Sequence, residues 1–232
     1  LKGDFLKMVS HELKTPVTSI KGYVQLLLLM LKEQTATPSS FLESPLLRID
    51  SQVKRLTRLI EEMLDLSRIE SGKLELRKEL FSLDELVTET VQDIRFTNTN
   101  HIINVALYSN GMVVGDRDRI EQVIINLVNN AIKYSPDNNV VEVALHTAEN
   151  NQIAVSIKDY GIGIDAEHQQ KIFNRFYRAG GKSEESFAGF GIGLFIAKEI
   201  IERHNGSISI ISEKTKGSTF TFTLPLVTEK IK

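Results

Sequence analysis

The sequence predicts two domains: a two-helix hairpin that dimerises into a four-helix bundle, then an α/β sandwich with helices on one face of a mixed sheet. Three observations predict this fold class. Residues 1–70 carry helical periodicity alone, with apolar steps of three and four. From about residue 71 onward, alternating strand-like stretches interleave with helical ones. The chain has 232 residues, enough for two separate cores.

The first helix has the stripe Leu6, Val9, Leu13, Val17, Ile20, Val24, Leu27, Leu31, a packing seam. Residues 34–40 form a polar turn containing Pro38 and good N-cap candidates. The second stripe is Leu46, Ile49, Val53, Leu56, Ile60, Met63. One hairpin cannot bury two seams, so residues 1–70 are expected to form a homodimer. Ser71 and Gly72 end the second helix, because glycine suits the position just past a helix. Leu74, Leu76, Leu80 and Phe81 alternate weakly, so residues 71–80 are read as linker and first strand, leaving 81–228 as the second domain. Ser82, Leu83, Asp84 and Glu85 open a helix with a capping-box-like pattern. Strands follow at 102–108 and around 112–114, then a helix at 117–133. Residues 140–146 and 152–158 alternate as a hairpin, turned by Glu149, Asn150 and Asn151. A helix over 191–204 and a strand pair at 208–212 and 219–224 complete the set.

Composition narrows the function classes. The net charge of -2 gives no basic field, so nucleic acid is not an expected partner. The chain has no cysteine, which removes disulfides, thiolate catalysis and cysteine zinc sites. The longest aliphatic run, residues 26–31, is far too short to span a bilayer, and no membrane contact is expected. The seam is already running in the first few residues, so Leu1 is read as a cut inside a longer helix with further domains upstream. The expected location is cytoplasmic, with any membrane anchor upstream.

The chemistry-bearing residues come in clusters. His11 sits off the seam, facing solvent beside Glu12, where an imidazole could serve as nucleophile. Asn126, Asn130 and Lys133 share one helix face; amide oxygens can hold Mg²⁺ beside phosphate, and lysine can hold phosphate itself. Two glycine clusters follow, one holding Asp159, Gly161 and Gly163, the other Gly189, Gly191 and Gly193 at the start of a helix. Glycines there let backbone N–H groups approach phosphate. The second cluster is no Rossmann fingerprint, since Leu194 stands where the last glycine belongs. Phe173, Phe176, Tyr177 and Arg178 lead into a Gly/Ser-rich stretch that reads as a mobile lid. Each cluster alone also has a bland reading: glycine turns, a solvated helix end, a core aromatic pair.

The order of the clusters resembles the two-domain core of sensor histidine kinases over essentially the whole chain. Ser10, His11, Glu12, Leu13, Lys14, Thr15 and Pro16 match the H-box. Residues 126–135 match the N-box, 159–163 the first glycine box, 173–178 the F-box and 189–193 the second glycine box. Gly217, Ser218, Thr219 and Phe220 match a late Gly-Ser/Thr element near the nucleotide. The second domain is similar to the ATP-binding domain shared with gyrase and heat-shock chaperone ATPases.

The resemblance implies an ATP-dependent protein-histidine kinase of a two-component system. His11 would attack the γ-phosphorus of ATP, with Glu12 accepting the other ring N–H. The phosphoryl group would pass to an aspartate on the receiver domain of a response regulator. Thr15 would orient water in a phosphatase reaction on that same partner. Asp159 would accept the adenine amino group, Asn130 would ligate Mg²⁺ with Asn126 a turn away, and Tyr134 would stack on the base. Lys133 and Arg178 would contact phosphate. Gly161, Gly163, Gly189, Gly191, Gly193, Leu194 and Thr219 would complete the nucleotide site. Hydrolysing members of the superfamily carry glutamate at the position of Asn126, so asparagine argues for transfer over hydrolysis. A nucleotide-sensing scaffold and a chaperone-type ATPase are the alternatives. Phe190 and Ile192 depart from the usual second glycine box. His101, His146, His168 and His204 lack metal-ligand spacing and are read as ordinary surface or structural residues.

Overall fold

The structure is a computed structural model that describes residues 2–32, 39–109, 111–136, 138–179 and 190–227. The chain divides into two compact units, one built on residues 1–71 and the other on 72–187 and 191–232.

The first unit holds α1 (Lys2–Lys32) and α2 (Ser39–Glu70), which pack against each other. Most of the expected turn, residues 33–38, lies outside the described residues. The connection is short, so the pair is an antiparallel hairpin. Pro16 interrupts α1: it has no N–H to give the Glu12 carbonyl. After Ser71, Gly72 adopts φ 67°, the left-handed conformation that ends α2. The seams are only half covered. Val17, Val24 and Leu31 on α1 are 51%, 41% and 66% exposed; Leu46, Val53 and Ile60 on α2 are 54%, 46% and 48% exposed. Each trio recurs every seven residues, so one heptad position per helix is left facing outward.

The second unit contains a five-stranded sheet in the order β2-β4-β5-β7-β6. Its strands are β2 (Ile102–Leu107), β4 (Val140–Ala148), β5 (Gln152–Asp159), β6 (Ser207–Glu213) and β7 (Gly217–Pro225). Only the β2–β4 pair is parallel among the described strands, which makes the sheet mixed as expected. Helices α3 (Leu83–Thr97), α4 (Arg117–Lys133) and α6 (Gly193–Arg203) bury their apolar faces with one face of the sheet. That face carries Val141, Val143, Leu145, Ile153, Val155, Ile157, Phe220, Phe222 and Leu224, all buried. The alternating residues Glu142, Ser156, Lys158, Thr219 and Thr221 occupy the open face. Ser82 caps α3 through its hydroxyl, which accepts from Glu85 N at 3.3 Å. Asn150 and Asn151, at φ 56° and 57°, turn the β4–β5 hairpin.

The first-strand expectation needs correction. Leu74 and Leu76 belong to no strand; β1 is confined to Glu79–Ser82 and pairs with β3 (Met112–Gly115). Leu74 is buried singly, and the segment is tied down by Arg77 N donating to Asp116 Oδ2 at 2.9 Å. A helical turn, α5 (Ala166–Gln169), and a 3₁₀ turn over Lys171–Phe173 precede the aromatic cluster.

His204 is more than an ordinary histidine. It is 3% exposed and joins the end of α6 to the start of α4. Asp116 N donates to its Nε2 at 2.8 Å, so the ring proton sits on Nδ1 and goes to Ile200 O at 2.7 Å. Burial holds its pKa below the ordinary 6.5; the Ile200 bond and Asp116 oppose this, and Lys78 reinforces it. The unfolded chain therefore binds a proton that the folded chain excludes. The stability contribution is complete above 6.5 and is lost as pH falls below it. Urea unfolding is expected to show a larger loss between pH 7.5 and 5.5 in the wild type than in His204→Gln.

Candidate functional site

The H-box lies on α1. His11 is exposed, as its position off the seam predicts. Thr15 is also exposed, and its hydroxyl donates to His11 O at 3.0 Å, a side-chain bond back along the helix. Glu12 does not reach His11 here. Its Oε2 accepts from Arg55 Nη2 of α2 at 3.0 Å, and among the described residues no hydrogen bond joins Glu12 to the imidazole. Adjacent helix positions do not face one another, which is the geometric reason.

In the second unit the first glycine box, the end of the N-box and the late Gly-Ser element meet at Asp159, the last residue of β5. Asp159 is 4% exposed. Its Oδ1 accepts from Gly161 N at 2.9 Å and from Ser218 N at 3.2 Å. Burial pushes its pKa above the usual carboxylate value, while the Gly161 and Ser218 amides and the Ser135 hydroxyl pull it back. The result is a carboxylate fixed by backbone donors, poised to accept one more hydrogen bond.

Two glycines let the chain close around it. A Cβ on Gly161 would stand 1.9 Å from Tyr134 O, where the loop crosses the end of α4 and Ile162 N donates to that same carbonyl at 3.1 Å. Gly217, at φ 94°, lets β7 pass over Asp159, whose carbonyl a Cβ would approach to 2.1 Å. Glycine here serves chain-to-chain approach, where the sequence suggested approach to phosphate. Ser212 fastens the same loop: its hydroxyl donates to Gly217 O at 2.9 Å, accepts from Ile164 N at 2.8 Å and lies 3.0 Å from Ser218 Oγ.

One and two turns back along α4 from Tyr134, Asn130 and Asn126 are half-buried. Asn126 meets the start of α6: a Cβ on Gly193 would stand 2.7 Å from its Oδ1. Its Nδ2 is buried and has no hydrogen-bond partner among the described residues. Ile192, the residue capping α6, provides no side-chain cap, so among the described residues the first amides of α6 have no side-chain acceptor at the cap. An orphaned amide beside open helix amides suits an anionic oxygen. Lys133 Nζ lies 4.8 Å from the centre of the Tyr134 ring. Gly191 stands beside Arg178, whose Cγ would be 3.1 Å from a Cβ there. Leu194 is half-buried in the first turn of α6. Phe190 and Ile192, the departures from the usual glycine box, are both fully buried. Gly189 and most of the supposed lid, residues 180–189, lie outside the described residues.

The structure does not bring Thr219 to this cluster. Its register partner is Lys158, and both lie on the open sheet face, whereas Ser218 shares the buried face with Phe220 and Phe222. Ser218, the neighbour of Thr219, makes the contact with Asp159. Sequence reasoning could have found it from strand parity. Ser135 and Ser212 carried no comparable signal.

Among the described residues no cluster of three or more His, Cys, Asp or Glu could hold a metal on its own. The half-buried Asn130 amide fits a cation that arrives with phosphate oxygens and keeps part of its water shell.

Comparison with known proteins places this geometry. Residues 1–72 match the model of the His Kinase A (phospho-acceptor) domain. Residues 115–228 match that of the histidine kinase-, DNA gyrase B- and HSP90-like ATPase. The chain is 32% identical to the sensor histidine kinase WalK of Bacillus subtilis over 98% of its own length and 37% of that protein. It is 34% identical to the sensor protein SrrB of Staphylococcus aureus over 97% of its length and 38% of that protein. It thus spans under two fifths of these curated relatives. Among solved structures it is similar to the Acinetobacter baumannii histidine kinase AdeS, with TM-score 0.66, 28% identity and coverage of 93% of this chain and 98% of that one. It is also similar to the histidine kinase ThkA, solved in complex with the response regulator protein TrrA, with TM-score 0.65, 26% identity and coverage of 97% and 62%.

Proposed function

The chain belongs to the sensor histidine kinase family, and from that premise we propose that it uses ATP to phosphorylate its own His11 and then passes the phosphoryl group to an aspartate of a response regulator. The observation that carries the reading is the exposed His11 in a phospho-acceptor helix, encoded together with the buried, backbone-held carboxylate of Asp159.

In this reading, one ring nitrogen of neutral His11 forms a bond to the γ-phosphorus while the bond to the β,γ-bridging oxygen breaks, and ADP leaves. Glu12 takes up the other ring N–H, stabilising the cationic phospho-imidazole. Asp159 accepts from the adenine amino group. The unpartnered Asn126 amide and the open amides of α6 hold phosphate oxygens, with Lys133 and Arg178 adding positive charge. Asn130 would ligate magnesium, whose charge offsets that of the phosphates. Asn126 offers no carboxylate to activate water, which favours transfer over hydrolysis. The direct test is incubation with γ-labelled ATP. The chain is expected to acquire acid-labile, alkali-stable label; acid-stable label would overturn the proposal.

The response regulator is proposed as partner on the strength of the ThkA–TrrA complex in a similar kinase. Homodimerisation is supported by the outward heptad positions of α1 and α2. Lysine at Val53 would place charge in that seam, so Val53→Lys should run at single-chain mass in light scattering where the wild type runs as a dimer. A wild-type monomer would sink the dimer.

Thr15 keeps its oxygen lone pairs available while its proton is given to His11 O. It could therefore orient a water against the phosphorylated partner. Thr15→Ala should slow dephosphorylation of the response regulator by about tenfold or more through lost orientation, leaving phosphohistidine formation within about twofold. Equal losses in both would count against the assignment.

A further inference from the structure

The pairing of Glu12 with Arg55 has a functional consequence. Residues one apart on a helix point about 100° from each other. His11 accordingly faces solvent, while Glu12 turns inward to α2, with side-chain exposures of 14% for Glu12 and 30% for Arg55. The 3.0 Å bond from Arg55 Nη2 to Glu12 Oε2 satisfies the carboxylate across the hairpin. In this geometry no hydrogen bond joins Glu12 to His11 among the described residues. Pro16 also leaves the Glu12 carbonyl without its helical N–H.

We propose that Arg55 is a positioning residue that withholds Glu12 from His11, so that phosphohistidine forms only when the Arg55–Glu12 pair opens. This rests on the kinase reading above and adds to it a control on the acidic residue. Arg55 is a cation with a planar donor fork, so it holds a carboxylate more firmly than a neutral amide of similar reach. It touches neither nucleotide nor the reacting atoms in this scheme, and its whole effect runs through Glu12.

The test compares γ-labelled ATP kinetics of the dimeric wild type with Arg55→Gln, Arg55→Met and Arg55→Lys, each checked for helicity by circular dichroism. Arg55→Gln should raise the maximal rate of phosphohistidine formation roughly three- to fivefold, the scale on which a partly exposed ion pair holds its partners. The KM for ATP should not move. Arg55→Met must behave like Arg55→Gln and covers the case in which glutamine disturbs the hairpin. Arg55→Lys, which retains the charge, should return the rate toward wild type. In a Glu12→Gln background, Arg55→Gln should change nothing. A fall in maximal rate with helicity intact, a shift in KM, or the same gain in the Glu12→Gln background would each overturn the inference. Absence of label on the wild type would overturn the kinase reading and this inference with it.

Discussion

His11→Gln is expected to lose acid-labile phosphorylation by on the order of a thousandfold or more, because it removes the nucleophile itself. The loss should be confined to chemistry. His11 is exposed on α1, and surface substitutions of this kind shift stability by only about 0.5 kcal/mol. Every contact described around Asp159 comes from residues of the second unit, so affinity for a non-hydrolysable ATP analogue should be unchanged. The combination separates a phosphoacceptor from a residue that supports the fold or the nucleotide. Labelling by autoradiography and binding by calorimetry, run on one preparation, give both readings. Label on His11→Gln equal to wild type would place the acceptor elsewhere. Steady ATP hydrolysis surviving the substitution would revive a chaperone-type ATPase.

What was legible in the sequence was mostly local. Ser82 caps α3 with its own side chain, so the start of α3 was legible, and the predicted bounds of α4, 117–133, match the helix that Asp116 caps. Asn150 and Asn151 occupy left-handed positions that few other residues tolerate, and the hairpin followed. Gly72 ends α2 for the same reason. What escaped depended on distant partners. The spacing of Leu74 and Leu76 imitates a strand, but a strand needs a neighbour, and β3 reaches only 79–82. The bond that Glu12 makes in this structure was not legible, because its donor, Arg55, is 43 residues away on another helix. His204 looked ordinary because the amide it accepts from belongs to Asp116, 88 residues earlier. Ser218 was legible in principle, since Phe220, Phe222 and Leu224 fix the strand's buried face and put Ser218, not Thr219, on the side of Asp159.

Asp159→Asn should separate binding from stability in opposite directions. Burial raises the carboxyl pKa above the ordinary 3.8, so in acid the folded chain holds this proton more tightly than the unfolded chain. Stability from this group is then greatest below 3.8 and declines as pH rises through the folded-state value, leaving the ionised side chain as a net cost at neutral pH. Asparagine removes the charge and keeps an oxygen for the Gly161 and Ser218 amides. The melting temperature at pH 7 is therefore expected to stay level or rise. Nucleotide binding should fall, because the amide NH₂ would take the place of the second carboxylate oxygen and confront the adenine amino group donor to donor. Losing a hydrogen bond to a charged acceptor costs ~1.5–3 kcal/mol, about ten- to 150-fold in affinity for ATP. Guanine presents a carbonyl at the same edge, so GTP should lose far less and the preference for ATP should narrow by a comparable factor. Calorimetric titration with ATP and GTP, beside thermal unfolding, checks all three effects. Unchanged ATP affinity would remove Asp159 from base recognition. A fall in affinity that merely tracked a fall in melting temperature would make it a structural residue, held by its backbone donors for the fold alone.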